Sequence, residues 1–173
     1  MMADRTDQKR DSIVLTVNDA THEFEIGDHR YQVAACDTLA KTLRETLGLS
    51  GTKVGCNQGA CGSCTVLLDG IPFLSCMTLT VECDGKQIIT IEGLQDRATG
   101  RLDEIQQAFI DHTAFQCGFC TPGIIIASRA LLDRNPSPTE TDIKDALAGH
   151  FCRCISHYQV LEALQTVTEK KKK

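Results

Sequence analysis

The chain has no phosphate-binding loop, no dinucleotide-binding glycine fingerprint and no nucleophile elbow, so nothing in it marks a substrate pocket of its own. It also lacks a basic surplus. With 18 Lys and Arg against 23 Asp and Glu, the net charge is −5, and a nucleic-acid partner is not expected. No long apolar run is present. The longest uncharged stretch, residues 113–128, carries Gln116, two cysteines, Pro122 and Gly123, which makes it a poor membrane span, so no membrane insertion is expected. Residues 1–12 are polar, with neither a secretory apolar segment nor a twin-arginine pair, and a cytoplasmic location is the expectation. There is no internal repeat, and the lysine run 170–173 is the only low-complexity segment, read as a solvated basic tail.

What the chain does have is cysteine. Ten occur in 173 residues whose hydrophobic share, 42%, and charged share, 24%, suit a folded protein of one or two small domains. In a reducing compartment such a number points to metal ligation rather than to disulfides.

The two halves differ in pattern. Residues 12–17, 22–26 and 30–34 read as strands, punctuated by Asn18-Asp19 and Gly27-Asp28. A helix capped by Asp37 or Thr38 should follow, with Leu39, Leu43 and Leu47 on one face, ending near Gly48 and Gly51. Residues 65–68 and 71–73 flank Asp69-Gly70, a favoured hairpin turn, and residues 88–91 add a strand. Strands over a single helix make a small α+β unit. From about residue 97 the period becomes helical. Leu102, Ile105 and Phe109 share a face, and Thr121-Pro122 reads as an N-cap followed by proline at the first helical position. The helix behind it is apolar nearly all round. Residues 135–138 (Asn-Pro-Ser-Pro) stop it, Thr139 with Asp142 starts the next, and Ser156 with Gln159 starts the last. A four-helix unit is the expectation. The domain reading is thus a disordered extension at 1–11, a first domain at 12–96, a helical domain at 97–169 and the tail at 170–173.

Eight cysteines fall into two sets. Cys56, Cys61, Cys64 and Cys76 follow C-x4-C-x2-C with a more distant fourth, the plant-type [2Fe–2S] order. A cluster with four thiolates is anionic and needs backbone N–H groups turned toward its sulfurs. Gly55, Gly59 and Gly62 let the backbone come that close. Structural zinc sites usually present two short knuckles, and this set has one. The second set is Cys117, Cys120, Cys152 and Cys154, a C-x2-C and a C-x-C separated by 31 residues. Taken alone, it admits zinc as well as a cluster. Cys120 stands just ahead of a helix N-terminus, which favours an anionic group. The segment between the pairs has room for one helix out and one back, which would bring them together.

Both sets, in this order, resemble the small iron–sulfur subunit of the xanthine dehydrogenase/carbon monoxide dehydrogenase family of molybdenum hydroxylases. The resemblance runs over about residues 12–167. Residues 55–64, the run Gln-Cys-Gly-Phe-Cys-Thr-Pro-Gly at 116–123, and Cys152-Arg153-Cys154 carry it most specifically. It implies a β-grasp, plant-ferredoxin-like domain followed by an all-α four-helix domain, each holding one [2Fe–2S] cluster. It also implies electron transfer between a molybdopterin, in dinucleotide form, on a large subunit and FAD on a medium subunit, in a dimer of heterotrimers. By the same resemblance Gln116 and Cys154 would face the partner's molybdopterin. By the resemblance, the pocket that selects the substrate would lie on the large subunit. The alternative from another class is a free-standing two-cluster ferredoxin-like carrier.

Three departures from the family pattern stand out. Ile155-Ser156-His157-Tyr158 replaces the usual Thr-Gly-Tyr after the C-x-C run, His150 stands where asparagine is usual, and residues 21–29 resemble an insertion. Cys36 and Cys83 lie outside both sets and read as buried free thiols. His150 and His157 flank the second set without being needed as ligands, and structural or interface roles are expected of them. Arg153 could offset cluster charge or form a plain salt bridge.

Overall fold

The computed structural model describes residues 12–29 and 32–170. The expected N-terminal extension at 1–11 and all but the first residue of the 170–173 tail lie outside them.

Strand β1 (Ser12–Val17) turns through Asn18 and Asp19, both at positive φ, into β2 (Ala20–Glu25), pairing antiparallel with Ser12 opposite Glu25. Most of the apparent insertion at 21–29 is therefore this edge strand. Of the strand expected at 30–34, residues 30 and 31 lie outside the described residues, and residues 32–34 form no ladder. Val33 is fully buried but makes only an isolated bridge to Ile26, so it fills the core without extending the sheet. Helix α1 (Leu39–Lys41) is capped by Thr38, whose side chain accepts from the Lys41 N–H. It widens into π-type turns over Thr42–Thr46, where Leu47 N–H donates to Thr42 C=O. Leu39 and Leu43 are wholly buried against the sheet.

β3 (Thr65–Leu68) and β4 (Ile71–Leu74) form the hairpin read from Asp69-Gly70, whose φ values of 49° and 79° are those of the favoured turn. β5 (Gln87–Ile89) is shorter than the expected 88–91 because Ile91 turns into a 3-10 segment. The five strands lie in the order β2-β1-β5-β3-β4, with β1 and β5 parallel and the other pairs antiparallel. With α1 across one face, this is the β-grasp arrangement.

Four helices follow: α2 (Glu104–Asp111), α3 (Thr121–Arg134), α4 (Glu140–Leu147) and α5 (His157–Lys170). Leu102 falls just ahead of α2, because Asp103 caps it by accepting from Ile105 N–H. Thr139 and Asp142 cap α4 reciprocally. Helix α3 buries residues on every side. It packs on α2 and α4 and, across the domain boundary, on β3. Its Ile124 and Ile125 join Phe109, Leu132, Ile143 and Leu164 in a core separate from that of the sheet. Among the described residues no helix is long and apolar enough to cross a membrane.

Candidate metal centres

The first cysteine set lies in an irregular loop between α1 and β3, with the fourth member delivered by the β3–β4 hairpin. Cys76 sits in a 3-10 turn directly after β4, and Ser75 ties that turn back, its N–H and hydroxyl both donating to Cys64 C=O at 3.3 and 2.7 Å. The loop takes left-handed backbone at Asn57, Gly59 and Gly62. A Cβ on Gly55 would stand 3.1 Å from Cys61 Sγ, so glycine is needed there for close approach. Ala60 N–H donates to Cys56 Sγ at 3.2 Å. That bond and one from Gln58 N–H pull the Cys56 thiol down to about 7, toward the thiolate a metal requires. Cys64 and Cys76 are 2% and 5% exposed, and burial pushes the metal-free Cys64 thiol up to about 11.

The second set is built from two loops at one end of the helical domain. Cys117 and Cys120 precede α3. Cys152 and Cys154 lie between α4 and α5. As expected, α3 runs out and α4 back, which places Cys154 Sγ 3.5 Å from Cys117 Sγ. The N-cap of α3 is Cys120 itself, not Thr121, and Pro122 is the second helical residue. Helical geometry thus begins at the cysteine, so the unfilled N–H groups of the first turn lie next to its thiol. Burial, then the Cys152 thiol beside it, raises Cys120 to about 12. At Cys152 burial acts in the same upward direction, but the Ile155 N–H at 3.4 Å, the Cys120 thiol, and the N–H (at 3.3 Å) and thiol of Cys154 together outweigh it and lower that thiol. Contact with Cys117 raises Cys154.

In the first set Cys56 interacts directly with Cys61 and Cys64 with Cys76. In the second Cys117 meets Cys154, Cys120 meets Cys152, and Cys152 also meets Cys154. No three His, Cys, Asp or Glu side chains among the described residues converge as a single metal ion would need. A tetrahedral zinc site gathers four ligands around one point, whereas a two-iron cluster takes two thiolates at each iron. The first set's division two and two fits the cluster.

Gln116, Cys117, Arg153 and Cys154 are all exposed, and the Cys117–Cys154 contact gathers them on one surface. Cys83 is fully buried and its thiol pushed up to about 11 by burial, as suits an inert core residue. Cys36 is exposed, contrary to the expectation of burial, because it lies in the turn ahead of α1. Ser156, in the altered segment, accepts from Tyr158 N–H at 3.2 Å and so starts α5 without the usual glycine.

Sequence reasoning did not foresee how closely the two loops interlock. A Cβ on Gly123 would fall 2.2 Å from Gly62 C=O, and one on Gly62 would meet the His150 ring at 2.5 Å. Phe151 N–H donates to Cys61 C=O at 3.1 Å. Gly123 inside the first turn of an apolar helix was the one available signal, since glycine there weakens a helix unless something must come close.

Comparison with known proteins agrees with this arrangement. Residues 5–102 match the 2Fe-2S iron-sulfur cluster binding domain family, and residues 90–165 the [2Fe-2S] binding domain family. The chain is 44% identical over 144 residues to the nicotine 6-hydroxylase small subunit of Paenarthrobacter nicotinovorans, covering 82% of this chain and 86% of that one. It is 41% identical over 132 residues to the nicotinate dehydrogenase small FeS subunit of Eubacterium barkeri, covering 76% and 83%. Quinoline 2-oxidoreductase from Pseudomonas putida 86 superposes with a TM-score of 0.84 at 39% identity, over 93% of this chain and 95% of the matched chain. With two cluster-binding domains in the same order and relatives this similar along most of its length, the chain belongs to the family of small iron–sulfur subunits of molybdenum hydroxylases.

Proposed function

We propose that this chain is the electron-transfer subunit of a heteromeric molybdenum hydroxylase, relaying electrons between a molybdopterin centre on a large subunit and FAD on a medium subunit. Cys56, Cys61, Cys64 and Cys76 hold one [2Fe–2S] cluster, and Cys117, Cys120, Cys152 and Cys154 hold the other. When bound, the clusters supply one-electron storage at potentials that hydrogen bonding and burial set. This chain's part is to orient the thiolates, bury Cys64 and Cys76 of the first site and offer Cys117 and Cys154 of the second at its surface. Gln116 and Cys154, exposed together, form the face turned to the molybdopterin.

The observation that carries the reading is the Phe151 N–H to Cys61 C=O hydrogen bond. Phe151 immediately precedes ligand Cys152, so a short covalent path with a single hydrogen-bonded step joins a thiolate of one set to a thiolate of the other. Independent domains would have no need of such a junction.

The test is native purification with iron, acid-labile sulfide, molybdenum and flavin quantified per chain. The reading requires about four irons and four sulfides per copy, two [2Fe–2S] clusters' worth, with molybdenum and flavin on co-purifying larger chains. Iron and sulfide on a chain without molybdenum or partners would show a free electron carrier instead.

A further inference from the structure

His150 occupies the position where the two cysteine loops meet, yet neither set needs it as a ligand. Its backbone N–H donates to Leu147 C=O at 2.9 Å, which anchors it to the end of α4. The ring then crosses the domain boundary. Nε2 lies 3.1 Å from the hydroxyl of Thr65, the residue after ligand Cys64. That hydroxyl has one proton and gives it to Gly62 C=O at 2.7 Å, because a carbonyl can only accept. A hydrogen-bonded chain thus runs from His150 Nε2 through the Thr65 hydroxyl to Gly62 C=O. The ring also covers Gly62 so closely that any side chain there would meet it at 2.5 Å. The buried ring also interacts with the backbone of Gly123, at the start of α3. Contacts to Thr65 on one side and to Gly123 on the other hold the ring in place.

We propose that His150 is a positioning residue, a latch that fixes the Cys152–Cys154 loop against the Cys61–Cys64 loop and so sets the separation and electronic coupling of the two clusters. The proposal rests on the reading that these eight cysteines hold two clusters. The Phe151 N–H bond alone is a single point about which the loops could rock. The adjacent His150 bond, directed at a different residue of the first loop, removes that freedom.

The experiment uses the full chain, reconstituted with iron and sulfide and fully reduced, and reads the magnetic splitting between the two cluster signals together with iron per chain. His150→Ala should keep both clusters but lose the resolved splitting, and electron exchange between the clusters should slow. His150→Gln, which retains a donor of similar reach, should restore the splitting. Thr65→Val, of nearly equal volume but without the hydroxyl, should lose it as His150→Ala does. Unchanged splitting in His150→Ala at full iron content overturns the latch. If His150→Ala takes up no iron, Thr65→Val decides by the same criterion. Failure of the wild-type chain to show two cluster signals overturns the cluster assignment itself, a result separable from any effect of the variants.

Discussion

The backbone N–H of Phe151 lies 3.1 Å from the carbonyl oxygen of Cys61, and this contact joins the segments that carry the two cysteine sets. Helix α3 passes between them with Gly123 against Gly62, so the loops can approach only because both residues lack a Cβ. The domains are thus fastened where their chemistry lies, whereas their hydrophobic cores remain separate.

Phe151→Pro deletes the donor and leaves the Cys61 carbonyl unpaired, which costs about 1–3 kcal/mol where such a group stays buried. Denaturant unfolding should show that loss, and rapid reduction followed at both cluster signals should show slower exchange between them. Phe151→Ala keeps the N–H. Since its ring is 66% exposed, it should behave as wild type in both measurements.

Gly123→Ala puts a methyl 2.2 Å from Gly62 C=O, a backbone atom that cannot swing away. Overpacking of this kind typically costs about 1–3 kcal/mol, despite the better helix propensity of alanine. A lower melting temperature with weaker retention of the second cluster is the expected result. Equal or higher stability would show that α3 can shift without disturbing the first loop.

Cys56→Ser and Cys117→Ser should each remove one cluster signal and leave the other, because the four-thiol groups draw on separate loops. Iron per chain should fall by about half in both, from two two-iron clusters to one. Turnover with the physiological acceptor should stop in both variants. Persistence of both signals in either would show the ligand assignment to be wrong.

At the start of α4, Asp142 accepts from the N–H and hydroxyl of Thr139, both at 2.8 Å, and these bonds hold its carboxyl below the usual aspartate value. A carboxyl whose folded pKa is depressed stabilises the fold above its unfolded value, and that contribution disappears as pH falls through the folded one. Asp142→Asn should therefore flatten the part of the stability profile just below pH 3.8 and change its slope little near neutrality. Thr139→Ala, which removes the N-cap oxygen, should cost about 1 kcal/mol at neutral pH by denaturant titration.

Local chemistry made much of this legible in the sequence. The spacing of Cys56, Cys61 and Cys64, the Asp69-Gly70 turn, the Thr139–Asp142 cap and the change from strand to helical periodicity all depend on neighbours within a few residues. Each is found where the sequence puts it. The same locality explains the misses. Residues 30–34 alternate like a strand, but among the described ones Val33 makes an isolated bridge to Ile26, just past the end of β2, and its side chain serves the core. Thr121 has a capping side chain, but it is already the first helical residue, and Cys120 takes the N-cap position.

The sequence by itself determined that there are two four-cysteine sets, each in its own small unit, because ligand spacing and side-chain periodicity are properties of the chain. Only the tertiary structure decided which thiol stands beside which, that Cys117 and Cys154 open to the surface, and that His150 and Phe151 reach Thr65 and Cys61. Those contacts join residues some 85 to 90 positions apart, a separation at which closing the loop is entropically costly. They exist because α3 packs on β3, and no local pattern records that.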